Sequence, residues 1–593
     1  MLLLLSTSTV SVAGALVGPA GEIMAPHAAA AAAPPLAEYE QATLQTRCGI
    51  SEAVARQSES LSLAWKALTV QDVPLVIAVL PTAVDLVELD LRHNKLADRG
   101  VAALAVGLRG ACKQLHTVRL ARNGVTDRGI EALCAFLAEP RASASLTELD
   151  LSMNALRDDR KLGAALTTNT RLHHLDLSSN ALRSGRALAA ALGGANHSLR
   201  CANVLFNALD VGSAEALAGA LRASRQDAAR VAPLTLCSLA PDCESVLLPR
   251  RGLRSADVVL LAAELEALPR VRVVDLSYNA LGPDAARALA RSLRASSSLS
   301  ELNLASNRLA GPRSDFGEEV GARDDSGVVA LATALAEGNT LTSLNLSLNA
   351  LGEAGTRAIA EAAASAPEAD PLRTLHVGSG GEALPVQQLR GRAARGAPAS
   401  AIGLGGRRLD DLDAVVIATL ISANTMLGAL DLSGSQLGAI GCTALARALR
   451  SPLCHLTQLD LSGKRMLSEE GKLAIGGALL GNTAARVGCL SCEAFQLGPL
   501  TSTLDLPGAI LSHGDVSMLS GVLNHNHALL SLDLSHNGLG PPACATLCAA
   551  VCRNSALIEL DLYGNEVRGK TDTHTHRRTP PSSPPPPPPP RPL

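Results

Sequence analysis

Leu86-Val-Glu-Leu89-Asp-Leu91-Arg-His-Asn94-Lys-Leu96 is one copy of a frame that recurs throughout the chain. Side chains alternate along an extended strand, so Leu89 and Leu91 point to one face and Asp90 to the other. The frame returns at Leu115 to Val125, Leu146 to Leu156, Leu172 to Leu182 and, more weakly, Leu199 to Leu209. It recurs again at Val271 to Leu281, Leu299 to Leu309, Leu341 to Leu351, Leu529 to Leu539 and Leu557 to Val567. Two further copies, Leu427 to Leu437 and Leu456 to Met466, hold Ser435 and Lys464 where asparagine is expected.

Spacing defines the unit. Leu63, Leu91 and Leu120 lie 28 and 29 residues apart, as do Leu404, Leu432 and Leu461. After Asn123 come Leu133 and Leu137, and after Ser435 come Leu445 and Leu449. That four-residue step marks the apolar face of a short helix. The small residues beside these leucines, Ala290, Ala446, Cys134 and Cys548, read as core that lets neighbouring elements approach closely. Each unit is therefore strand, turn, helix, and no unit can bury its apolar face alone.

The frame, its length and its helical half resemble the ribonuclease-inhibitor-like leucine-rich repeats, a class that includes the repeat tails of NOD-like receptors and Ran GTPase-activating protein. The resemblance covers residues 61–567. It implies an α/β solenoid, or horseshoe, with an inner parallel β-sheet, outer helices and about 28 residues per repeat.

A longer period overlies the first. The units around Leu61/Leu63, Val246/Leu248, Ile402/Leu404 and Leu504/Leu506 place Lys66, Arg251, Arg407 and Ala509 in the asparagine slot. Each precedes a well-formed unit and carries an Asp-Val or Asp-Ala step at Asp72, Asp257, Asp413 or Asp515. They divide the solenoid into blocks 61–236, 246–377, 402–492 and 504–567, with helix-less seams through residues 237–247 and 493–503. Within the second block, Gly311 to Asp324 is an insertion expected to project as a polar loop.

Residues 1–35 form a low-complexity Ala-rich leader and 36–60 a helical cap. No Lys or Arg precedes Arg47, so the basic region of a secretory signal is missing, and Ser and Thr dilute the apolar stretch below what a membrane span needs. The tail, 568–593, is Pro-rich and reads as disordered. Within it Pro586, Pro589 and Arg591 fit a polyproline ligand for an SH3-type domain.

Composition narrows function. Eight aromatic residues in 593 leave no stacking platform for single-stranded nucleic acid. A net charge of −3 gives no basic footprint for DNA or RNA. Thirteen scattered cysteines make no disulfide framework and favour a reducing, cytoplasmic compartment. Cys489 and Cys492 form a lone CxxC, read as core rather than metal site. No nucleotide-binding loop or hydrolase motif is present. We therefore expect no cofactor, no catalysis, no nucleic acid and no membrane.

The residue between the two strand leucines faces the concave surface. It is Asp in eight of twelve full units: Asp90, Asp150, Asp176, Asp275, Asp431, Asp460, Asp533 and Asp561. Such a ladder favours a basic protein partner, and neighbours such as Asp150/Asp176 and Asp431/Asp460 are expected to raise one another's pKa. The alternative role for these residues is solubility. Trp65, Phe495 and Phe316, in the first unit, a seam and the inserted loop, mark contacts the repeat itself does not require. The leading expectation is a non-catalytic interaction scaffold or sensor. A GTPase-activating protein similar to Ran GTPase-activating protein is the alternative, with no catalytic residue carried over. A third reading, an extracellular protein, would use the sequons at Asn196 and Asn345.

Overall fold

The computed structural model describes residues 38–48, 57–81, 83–109, 114–139, 145–230, 232–311, 323–366, 371–391, 400–463, 467–481, 486–566 and 576–577. The leader, most of the inserted loop with Phe316, and Pro586, Pro589 and Arg591 lie outside them. The chain divides into two compact units, Met1–Ser245 with Arg250–Val271 and Asn279–Ser296, and Val246–Pro249 with Arg272–Tyr278 and Ser297–Leu593.

The first unit contains one six-stranded sheet: β1 Ser60–Ser62, β2 Glu88–Asp90, β3 Thr117–Arg119, β4 Glu148–Asp150, β5 His174–Asp176 and β6 Cys201–Asn203. All five pairings are parallel and in register, one strand per repeat. The second unit contains three sheets. One orders β7 Ser245–Leu247, β8 Val273–Asp275, β9 Glu301–Asn303, β10 Ser343–Asn345 and β11 Thr374–His376, closed by antiparallel β12 Leu384–Pro385. The next orders β13 Ala401–Gly403, β14 Ala429–Asp431, β15 Gln458–Asp460 and β16 Cys489–Ser491, closed by antiparallel β17 Gln496–Leu497. The last orders β18 Thr503–Asp505, β19 Ser531–Asp533 and β20 Glu559–Asp561, with β21 His576–Arg577 antiparallel beside β20.

Helices follow the strands and bury the predicted leucines. Leu89, Leu91 and Leu96 are at most 1% exposed, as are Val101 and Leu104 of the helix Ala97–Gly107. Each such side chain contributes about 2 kcal/mol on burial. Between repeats the asparagine does the joining. Asn94 Nδ2 donates to the carbonyls of Leu91 in its own unit and Leu63 in the preceding one, both at 2.8 Å, and its Oδ1 accepts the Leu68 N–H. Asn123, Asn307, Asn349, Asn537 and Asn565 repeat the two-carbonyl pattern.

This accounts for the missing asparagine in the four units that open a sheet, and not for Ser435 and Lys464 within the third. Each supplies the first strand of a sheet, β1, β7, β13 or β18, so no earlier strand in that sheet offers a carbonyl. A buried aspartate at the next helix start ties the unit backward instead. Asp257 accepts the Arg254 N–H with one oxygen and the N–H of Phe206, 51 residues away, with the other. Asp413 accepts the N–H groups of Asp410 and Gly378 in the same way. Asp515 takes the Ser512 N–H and hydroxyl on one oxygen, and the Lys472 ammonium meets the other at 2.8 Å. Asp72 holds Thr69 and the Arg47 guanidinium of the helix Glu38–Cys48. All four carboxylates are at most 5% exposed.

Around these junctions the helices stop. No helix lies between Leu236 and β7, where the Leu234–Leu236 segment makes only an isolated bridge between Cys201 and Thr235. The amides of Leu236 and Cys237 donate instead to the buried Glu264 carboxylate. None lies between β16 and β18 either, where Phe495 is buried, so this aromatic fills the junction rather than offering a contact. There the helices Glu469–Gly481 and His513–Leu523 meet backbone to backbone. A Cβ on Gly476 would sit 2.7 Å from the Met518 nitrogen, so only glycine fits.

Burial and the neighbouring Asp410 push the Asp413 carboxyl up to about 7, with Glu382 adding to the effect. The folded chain thus holds a proton that the unfolded chain has released. Stability is expected to fall as pH rises from about 4 to about 7, by on the order of 4 kcal/mol, and to level off above. Urea midpoints across that range check this. Asp413→Asn should flatten the slope.

Candidate protein-interaction face

Parity along each strand sends the leucines into the core and leaves the alternate positions on the opposite sheet face. In the first sheet that face carries Asp90, Arg119, Asp150, Asp176 and Asn203 in one register row, with Glu88, Thr117, Glu148, His174 and Cys201 in the next. In the third sheet Asp431 and Asp460 are register neighbours. In the fourth, Asp505, Asp533 and Asp561 are consecutive.

The carboxylates have a structural job. One oxygen accepts the backbone N–H two residues on: Ser152 to Asp150 at 2.9 Å, Ser178 to Asp176, Ser277 to Asp275, Ser433 to Asp431, Ser462 to Asp460, Ser535 to Asp533 and Tyr563 to Asp561. Asn303 and Asn345 do the same for Ala305 and Ser347. The bond turns the chain off the strand, which accounts for Asp or Asn in this slot. It also fixes each half-buried side chain in place.

The sequence-predicted residues are not equivalent. Asp90 is 5% exposed and gripped by Arg92 at 2.8 and 3.0 Å, which removes it from the accessible face. Arg119 lies between Asp90 and Asp150 in register and pairs with Glu88. The first sheet is therefore partly compensated. Burial chiefly raises the Asp176 carboxyl, with Asp150 a smaller contribution than expected from mutual repulsion. Asp275 is flanked by Asn303. Among the described residues no ion pair engages the neighbours Asp431/Asp460 and Asp533/Asp561. Asp505, exposed beside Asp533, extends that last row. Leaving the four opening units out of the ladder missed it, although Leu504-Asp505-Leu506 carries the same pattern.

Other expectations change. Asn196 is 2% exposed and donates to the carbonyls of Leu166 and Asn169, so a glycan has no access to that sequon in the folded chain. Cys134 is buried and its thiol is pushed up to about 12. Cys548, by contrast, is exposed with Cys552. The helix Pro541–Val551 packs on the helix before it and, among the described residues, has no repeat helix on its other flank. Cys489 and Cys492 are free, with Cys492 buried and its thiol raised to about 11. Among the described residues no group of three His, Cys, Asp or Glu side chains suits a metal, and no helix is long and apolar enough to cross a membrane.

Strand, turn and helix at this period, joined by asparagines, make each unit an α/β leucine-rich-repeat solenoid. The leucine-rich-repeat family model matches residues 85–105, 111–134, 142–159, 269–290, 339–360, 423–446 and 525–548. Ribonuclease inhibitor of Mus musculus is 38% identical over 105 residues, 18% of this chain and 22% of that protein. Ribonuclease inhibitor of Sus scrofa is 28% identical over 330 residues, 55% of this chain and 65% of that one. NACHT, LRR and PYD domains-containing protein 3 of Mus musculus is 28% identical over 159 residues, 24% and 15% respectively. The chain carries leucine-rich repeats and is similar to the ribonuclease-inhibitor-like proteins. It spans less than two thirds of the length of each of these relatives.

Proposed function

We propose that the chain is a non-catalytic protein-interaction scaffold whose strand face binds a basic partner through Asp431, Asp460, Asp533 and Asp561, with Asp505. The observation that carries this is the fixing of each named carboxylate but Asp505 by a bond to its own turn. A preorganised acceptor loses little side-chain entropy on binding, and neighbouring carboxylates sum their field toward a cation. Free, buried, high-pKa thiols agree with a reducing compartment.

The test exploits Asn303 and Asn345, which hold the same slot without charge. A chain with Asp→Asn at 431, 460, 533 and 561 keeps every turn bond. It is expected to melt within about 0.5 kcal/mol of wild type. Its affinity for a Lys-rich peptide, and for a ribonuclease (the kind of partner the matched relatives are named for), should fall about tenfold or more, with a shallower salt dependence. Unchanged affinity in calorimetry at two salt concentrations would remove the carboxylates from the binding surface.

A further inference from the structure

In most of the repeat strands the fourth residue after the central apolar position adopts a left-handed backbone. In the first sheet this column is Trp65, His93, Arg122, Met153, Ser179 and Phe206, with φ between 56° and 62°. In the second sheet it holds Arg250, Tyr278, Ser306 and Leu348, at φ 54° to 58°, and in the third and fourth sheets Gly406, Gly434, Gly508 and Gly564, at φ 65° to 75°, with His536 at 58°. Glycine takes this conformation without strain; tryptophan, arginine and methionine do not. Glycine serves this place in four units, so the large side chains that the first repeats hold there are not demanded by the turn. Strained positions retained against such a cost point to function.

The column is rigid. Trp65 N–H donates to the Arg92 carbonyl, His93 N–H to Ala121, Arg122 N–H to Ser152 and Met153 N–H to Ser178, all between 2.9 and 3.1 Å. The Trp65 and His93 rings stack at 3.6 Å and 13°. Yet Trp65 is 71% and Met153 51% exposed. Arg122 is exposed next to His93, and Lys66 and Lys95 are exposed beside the stack. The nearby acids are engaged at home: Asp90 by Arg92, Asp98 by Thr126, and Asp127 by the amides of Arg157 and Asp158. What remains outward is an apolar stack edged by cations.

We infer that this edge of the first repeats, Trp65, His93, Arg122 and Met153 with Lys66 and Lys95, docks an acidic peptide segment of a partner protein. An apolar side chain of the peptide covers the Trp65–His93 stack, and its carboxylates meet Arg122 and the two lysines. The surface takes a ligand opposite in charge to the one proposed for the carboxylates of the third and fourth sheets.

Trp65 is the sole tryptophan, so its fluorescence reports on this site alone. The probe is a Glu-rich decapeptide with one central leucine, with a Lys-rich peptide of the same design as control. The Glu-rich peptide is expected to shift the emission and saturate below about 1 mM, and the Lys-rich peptide to leave it unchanged. Arg122→Glu with Lys95→Glu should weaken binding about tenfold or more. Trp65→Gly, followed by calorimetry, should lose binding by a similar factor while melting at or above the wild-type temperature, because glycine relieves the backbone. If Trp65→Gly melts early, Arg122→Ser decides, since Ser179 and Ser306 already hold that place. A silent fluorescence titration, an equal response to both peptides, or full affinity in the deciding variant overturns the inference.

Discussion

A Lys472→Met chain is expected to lose about 3–5 kcal/mol of stability in the segment joining the third and fourth sheets. Lys472 is 8% exposed, and its ammonium lies 2.8 Å from the Asp515 carboxylate, itself 5% exposed. The other Asp515 oxygen caps the helix His513–Leu523 through Ser512. Methionine preserves most of the volume but leaves the carboxylate buried without a countercharge, and the uncompensated charge makes the single change costly. Replacing Asp515 as well, by asparagine, should recover part of the loss, since the capping oxygen survives and the charge does not. Local hydrogen exchange is the suitable readout, because a repeat chain need not unfold as one unit. The amides of residues 513–523 should exchange faster in the single variant and return toward wild-type protection in the double. Equal protection in all three would show that the pair does not hold this junction.

The second large effect belongs to the asparagine column. Asn565 Nδ2 donates to the carbonyls of Leu534 and Leu562, and its Oδ1 accepts the amides of Asn537 and Leu539. Asn565→Asp keeps the acceptor and turns both donor contacts into carboxylate facing carbonyl. Asn565→Ala leaves all four partners without it. Each is expected to cost about 3 kcal/mol or more, with Asp at least as damaging as Ala. Urea unfolding followed by exchange at Asn537 and Leu539 checks this. A surface-like loss below about 0.5 kcal/mol would mean the column is ornamental.

The repeat itself is legible in the sequence because its determinants are local. Leu89, Leu91, Asn94 and Leu96 recur at one spacing, and burial follows from parity along a strand and the four-residue step along a helix. Residues whose role depends on distant partners are legible only as recurrences. The Asp step at Asp72, Asp257, Asp413 and Asp515 stands out by repetition. Its use as a backward tie does not, because the partners Arg47, Phe206, Gly378 and Lys472 share no motif. The aspartates between strand leucines look alike in sequence. Asp90 differs from Asp431 only by the arginine two positions on, which lies on the same face and closes over it. Cys548 occupies a core slot by pattern and is exposed because burial there needs a neighbouring helix. Phe495 is an exception to the aliphatic repeat that turned inward, whereas Trp65 is one that turned outward.

Carbodiimide labelling of carboxylates, read residue by residue with and without a basic partner, tests the proposed interface most directly. Binding through the strand face predicts protection at Asp431, Asp460, Asp533 and Asp561, with Asp505 alongside, and unchanged labelling of helix carboxylates such as Glu353 and Glu361. Protection confined to the helix side, with the strand carboxylates labelled as in the free chain, would contradict it.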